Sequence, residues 1–179
     1  KQSLSKKGIE IITGAAAKKI EQNEAYEIIV TYELKGVEKQ VTSSDLLMAV
    51  GRAPRLKGLG LENTGIEYTK KGIVTDELMR TNVPNIYAIG DVTGKMMLAH
   101  VASFQGMRAL HTILGKEDNI DFQVVPSSVF TVPECGMAGL TEAQCKEKGM
   151  SISTGTSFFR ANGKALALGA VSYTHLTLP

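Results

Sequence analysis

The chain carries only two cysteines and three histidines, and no apolar run approaches the ~20 residues that cross a bilayer. Each shortage excludes something. Cys135 and Cys145 have no second pair and no nearby histidine, so their spacing fits neither a zinc site nor a close-spaced redox pair. Both read as structural thiols. No Gly-x-Ser-x-Gly elbow and no helix with paired carboxylates occurs, which leaves a hydrolase without support. Charge of one sign is also scarce: 20 Lys and Arg stand against 18 Asp and Glu, scattered, for a net charge of +2. That argues against a nucleic-acid footprint. No signal peptide is visible. We expect no membrane segment, no nucleic-acid partner, no metal and a cytoplasmic location. The chain opens on Lys1 rather than Met, in mid-pattern, so we also expect a segment to precede it.

What is present is a globular composition, 43% hydrophobic and 21% charged over 179 residues, enough for one or two domains with a real core. Residues 8–16, 26–34 and 37–41 alternate apolar and polar character, with Lys35-Gly36 as a tight turn. An antiparallel meander is the natural assembly. Residues 45–50, apolar from Leu46 onward, predict a strand buried on both faces, ending in the corner Gly51-Arg52-Ala53-Pro54. Gly58-Leu59-Gly60 fails as a dinucleotide fingerprint, because position 63 is Asn and no strand-then-helix pattern surrounds it. A small strand pair, 66–68 with 73–75, is expected instead.

Residues 85–106, NIYAIGDVTGKMMLAHVASFQG, organise the rest. The spacing predicts a strand over 85–89, closed by Gly90, with Asp91 at its carboxyl end. In open α/β folds ligands collect beyond such ends, where an acid accepts hydrogen bonds from ligand hydroxyls. After a loop, Leu98, Val101, Ala102, Leu110, Ile113 and Leu114 recur at helical spacing. The first turn of that helix would offer unpaired N–H groups and about half a positive charge to an electron-rich ring edge.

This segment resembles the second flavin-binding motif of the pyridine nucleotide–disulfide oxidoreductases, and Met97-Leu98-Ala99-His100 is most similar to the branch of that family that oxidises dihydrolipoamide. The resemblance implies that Asp91 holds the ribityl and pyrophosphate region of FAD, and that Met97, Leu98, Ala99 and His100 line the isoalloxazine. Gln105 departs from the pattern, since a glutamate is common there. The corner at 51–54 is similar to the one that closes the family's NAD-binding domain. Gly51 then matches a glycine bordering the nicotinamide nucleotide, or else merely permits the turn. Ile12 matches a residue near the adenine, with plain core packing as its alternative. His111 reads as a packed or surface histidine.

Beyond Gly115 we expect strands at 124–125 and 129–132, a helix opened by the capping box Thr141–Gln144 and stopped at Gly149, and strands at 151–159 and 164–168. PECGMAGLTEAQ is similar to the opening of the family's dimerisation domain. The resemblance thus implies an α/β fold: a fragment of a flavoprotein with two Rossmann-like dinucleotide-binding domains, for FAD and NAD, plus the start of an α+β dimerisation domain. Its expected divisions are 1–50 in the NAD-binding domain, 51–118 returning to the FAD-binding domain, 119–170 beginning the dimerisation domain, and 171–179 an atypical tail in which His175 has no catalytic role. The implied activity is oxidation of dihydrolipoamide, borne by a 2-oxoacid dehydrogenase or glycine cleavage complex, with FAD and NAD as cofactors in a homodimer. Catalytic residues are expected from outside this chain. The alternatives are a glutathione- or mercuric-reductase-like enzyme and a non-catalytic binding module on the same scaffold.

Overall fold

Lys35 and Gly36 both take positive φ, 53° and 78°, the conformation a two-residue hairpin needs to match the twist of its strands. The turn joins β2 (Ile28–Leu34) to β3 (Val37–Ser43), and a wider loop joins β1 (Ala15–Gln22) to β2. In that wider loop the Asn23 carboxamide oxygen accepts the N–H groups of Ala25 and Glu27 at 3.0 and 2.9 Å. The result is the expected antiparallel meander, in the order β1-β2-β3. The computed structural model describes residues 2–169 and 173–178. The chain divides into two units, Lys1–Gly51 and Arg52–Pro179, and the meander belongs to the first, after a short helix α1 (Gln2–Ser5).

Two expectations for this unit are corrected. The first strand is Ala15–Gln22 rather than 8–16. Gly14 at φ 70° stands just before it, and the loop around Asn23 sets residues 15–22 opposite 28–34. Residues 45–50 form no strand, and Leu47 and Val50 are 87% and 85% exposed. An apolar run becomes a central strand only with a partner on each edge, and none is present among the described residues.

The second unit is built around a small core of Leu61, Ile66, Ile73 and Ala88, with Leu56, Val83, Ile86 and Val92 packed against it. Ile73 comes from the expected hairpin, β4 (Tyr68–Thr69) with β5 (Gly72–Ile73), narrower than its sequence pattern. Residues 85–89 make one bridge, Tyr87 with Arg80, rather than the expected strand. Helix α2 (Ala99–Ile113) follows as expected. Its buried residues Val101, Gln105 and Ala109 are spaced by four and so form one ridge, whereas Leu110, Ile113 and Leu114 are 54–60% exposed.

Further on, β6 (Ser127–Val129) pairs with β7 (Cys135–Met137), in place of the strands expected at 124–125 and 129–132. Pro126 and Pro133 lack the N–H that a ladder needs, so pairing falls between and beyond them. Helix α3 (Glu142–Glu147) has the full capping box: Thr141 Oγ1 accepts from Gln144 N at 3.3 Å, and Gln144 Oε1 accepts from Thr141 N at 2.9 Å. It carries Cys145, which is free and buried, while Cys135 is free and exposed. Residues 164–168 are a helix, α4 (Gly163–Ala167), not a strand. Asn162 caps it by accepting the Ala165 N–H at 3.1 Å, and Lys-Ala-Leu-Ala supplies good helix formers. Strand β8 (Ser153–Phe158) pairs antiparallel with β9 (Tyr173–Leu178). Of the expected tail, residues 171, 172 and 179 lie outside the described residues. Among the described residues no helix is long and apolar enough to cross a membrane.

Arg108 fastens the stretch after α2 to the helix. Its Nε donates to both carboxylate oxygens of Asp118 at 2.9 and 2.8 Å. Its Nη atoms reach the carbonyls of Glu77, at 3.2 Å, and Ile120, and its guanidinium lies 5.1 Å from the centre of the Phe122 ring. The hydrogen bond from Arg108 holds the Asp118 carboxyl below the usual carboxylate range, helped by the Ile120 N–H and by the charges of Arg108 and His111, while desolvation opposes. A carboxyl whose pKa is depressed by folding stabilises the protein fully above its unfolded value, about 3.9. That contribution is lost as pH falls through the lower folded value. We predict that urea midpoints fall across this acid window, and that Asp118→Asn lowers the midpoint at neutral pH while flattening the acid limb.

Candidate functional site

Gly90 is where the chain turns. Ile89 before it is extended, at φ −133° and ψ 158°. Gly90 itself sits at φ 71°, which a residue with a Cβ rarely adopts, and it opens the tight turn Gly90–Thr93. Both of its backbone polar groups are held by side chains. The N–H donates to Gln105 Oε1 at 2.6 Å, and the carbonyl accepts from Thr93 Oγ1 at 2.8 Å. Gln105 and Thr93 are 3% and 6% exposed, so this peptide is fixed from within. A Cβ on Gly90 would lie 3.1 Å from the Ala102 methyl. The turn therefore rests directly on α2.

Asp91 follows on the outside of this turn, its side chain 51% exposed. One of its carboxylate oxygens stands 3.5 Å from Arg52 Nη2, itself 76% exposed. Such an open pair adds little stability, but it leaves a cation beside an acid with free acceptor capacity. Gly94 closes the turn at φ 63°, its N–H donating to the Asp91 carbonyl at 3.0 Å. A Cβ there would lie 1.7 Å from the Lys71 carbonyl oxygen, so the hairpin β4–β5 presses on the turn from its other side.

Met97 and Leu98 are half-buried, whereas Ala99 and His100 are exposed. Leu98 enters α2 extended, at φ −131° and ψ 133°, and no side chain among the described residues caps the helix. Its first N–H groups thus point out with their partial positive charge uncompensated by a side chain. His100 Nε2 lies 2.9 Å from the Pro126 carbonyl. A carbonyl only accepts, so Nε2 carries the proton in this contact. Ile12 and Gly51 belong to the first unit. Ile12 is 40% exposed, and Gly51, at φ 123°, has open space where a Cβ would stand.

A cavity of about 440 Å³ is lined by Met79, Met96, Val101, Arg108 and Phe122, among others, but Asp91 is not among its walls. Its cations are already engaged: Lys95 Nζ donates to the carbonyls of Thr75 and Asp76 at 2.8 and 3.3 Å, and Arg108 holds Asp118. We assign it no ligand. Sequence reasoning missed Arg52 and Thr93 and met Gln105 only as a departure. The signal for Arg52 lay in the same corner as Gly51. The pairing of Gln105 with Gly90, fifteen residues back, had no local signal.

Residues 1–106 match the family model described as pyridine nucleotide-disulphide oxidoreductase, and residues 125–178 match the dimerisation domain of the same family. The chain is 48% identical over 167 residues to dihydrolipoyl dehydrogenase of Bacillus subtilis, covering 92% of this chain and 35% of that protein. It is 42% identical over 169 residues to dihydrolipoyl dehydrogenase of Geobacillus stearothermophilus, covering 94% and 36%. Among solved structures it is similar to LpdA of Mycobacterium tuberculosis, with a TM-score of 0.77 at 30% identity over 94% of this chain and 36% of that one. The HOCl-induced flavoprotein disulfide reductase RclA of Escherichia coli gives 0.78 at 28% identity over 98% and 40%. The chain spans about a third of the length of the curated relatives it matches.

The packing at Gly94 gives a test of the turn. Gly94→Ala brings a methyl onto the Lys71 carbonyl at a left-handed φ, and we expect a loss of about 3 kcal/mol or more in denaturant unfolding. Gly115→Ala, at φ 65° with nothing within 4 Å, serves as the control and costs only the left-handed backbone term of about 1–2 kcal/mol.

Proposed function

Since the chain belongs to the pyridine nucleotide-disulphide oxidoreductase family, we propose that it is a central and carboxyl-side segment of an NAD-dependent dihydrolipoyl dehydrogenase. The observation that carries this reading is the Asp91 turn locked onto the helix that the chain enters through Met97-Leu98-Ala99-His100. The 48% identity to the Bacillus subtilis enzyme supports the choice of branch. Enzymes of the family use FAD and a nicotinamide dinucleotide. The donor set fits such a group: an exposed carboxylate with spare acceptor capacity, a cation 3.5 Å from it, and an uncapped helix start.

In this reading Asp91 accepts hydrogen bonds from the ribityl hydroxyls, and Arg52 offers its charge to the adjoining diphosphate. The first turn of α2 would offer its N–H groups to the ring system and stabilise negative charge that builds up on it, while Met97, Leu98 and Ala99 would supply an apolar wall. His100 borders the flavin with its proton engaged by Pro126, which makes it a wall rather than an acid or base. When bound, FAD supplies the two-electron carrier between a dithiol and the nicotinamide. Gly51 leaves room for the nicotinamide nucleotide, and Ile12 offers an apolar surface to the adenine.

We assign residues 1–50 to the NAD-binding domain, 51–118 to the FAD-binding domain and 119–170 to the dimerisation domain. The parent protein is a homodimer in the cytoplasm, acting on dihydrolipoamide of a 2-oxoacid dehydrogenase or glycine cleavage complex. The reactive cysteine pair is supplied by other parts of that protein.

Two measurements test this. The full-length protein that contains this segment should reduce NAD with dihydrolipoamide and should turn over glutathione disulfide with NADPH far more slowly; the reverse preference rejects the substrate. The 179-residue chain alone should give no lipoamide turnover, and measurable activity from pure material would show that the segment holds a redox centre we have not assigned.

A further inference from the structure

We infer that Gln105 is the positioning residue that sets the Asp91 carboxylate relative to the start of α2, a proposal that rests on the flavin reading above. Among the described residues Asp91 has no buried side-chain partner. Its side-chain contact is the ion pair with Arg52 at 3.5 Å, and both groups are more than half exposed. Its direction must therefore come from the backbone that carries it.

That backbone is held at one peptide on each side of the Gly90 α-carbon. The Gly90 N–H is anchored on Gln105 Oε1 at 2.6 Å, and the Gly90 carbonyl by Thr93 Oγ1 at 2.8 Å. Thr93 belongs to the same turn and moves with it. Gln105 belongs to the helix, on its buried ridge with Val101 and Ala109. It is the hydrogen bond from the turn to the element whose first residues face the flavin ring in the reading above. Gln105 touches neither cofactor nor substrate in this account, and acts through Gly90.

A carboxamide and a carboxylate both present an acceptor oxygen at this reach, whereas leucine has a similar bulk and none. Without an acceptor, a buried N–H is left unpaired. The turn then shifts to find water, and Asp91 shifts with it.

The test uses the full-length protein containing this segment, stripped of FAD and titrated with it by flavin fluorescence, alongside thermal melts of the apoprotein. Asp91→Asn and Gln105→Leu should each weaken FAD binding about tenfold or more. The double variant should be no weaker than the worse single, because Gln105 acts only through Asp91. Gln105→Glu restores the acceptor and should bind FAD within about threefold of the unaltered protein. Should Gln105→Leu fail to fold, Gln105→Asn, shorter by one methylene, should give a smaller loss that likewise disappears when Asp91 is already Asn. Losses that multiply in either double variant, or a Gln105→Glu protein as weak as Gln105→Leu, overturn the inference alone. An Asp91→Asn protein that binds FAD normally overturns the flavin reading and the inference with it.

Discussion

The hydrogen bond from the Gly90 N–H to the buried Gln105 carboxamide holds the candidate site together, because it joins a turn to a helix that neighbouring side chains alone would leave free to slide. The close approach of the Ala102 methyl, 3.1 Å from where a Cβ on Gly90 would stand, is apolar and non-directional. A short hydrogen bond between nearly inaccessible partners is directional, and leaving it unmade is costly. Around that bond the other constraints fall into place. Thr93 closes the turn from inside, the Lys71 carbonyl presses on it at Gly94, and the acid is left pointing to solvent. The turn is thus fixed through its backbone and open at its side chain.

The same helix shows a tension between pattern and burial. Its ridge of Val101, Gln105 and Ala109 is enclosed, while Phe104, Met107, Leu110, Ile113 and Leu114 are 46–60% exposed. Residues 45–50 repeat this in the first unit, where Leu47 and Val50 are open to water. These are segments whose composition suits burial and whose partners are not among the described residues. Matches covering about a third of each relative's length accord with that.

Local features of the fold were legible where chemistry and geometry coincide within a few residues. The Lys35-Gly36 turn, the Thr141–Gln144 capping box and the stop at Gly149 are each set by groups within three residues of one another. The misses share a cause. Ile9, Ile11 and Ile12 are more apolar than Ala15–Gln22 and point to a strand at 8–16, yet pairing register places the weaker run in the sheet. Residues 164–168 alternate like a strand, but the Asn162 cap and helix-forming neighbours prevailed. Residues 85–89 have the composition of a central strand and, among the described residues, make a single bridge, with Arg80.

The candidate site divides along the same line. Asp91, the glycines beside it and the helix start are determined by sequence alone, since a carboxylate after a strand-like run and before a helix is a local arrangement of residue types. That Arg52 stands beside that carboxylate, that His100 is tied to Pro126, and that a glutamine fifteen residues on holds the Gly90 N–H were decided by tertiary structure. The physical reason is range: turns and caps are satisfied by near neighbours, whereas a buried donor takes whichever acceptor the packing of distant segments delivers to it.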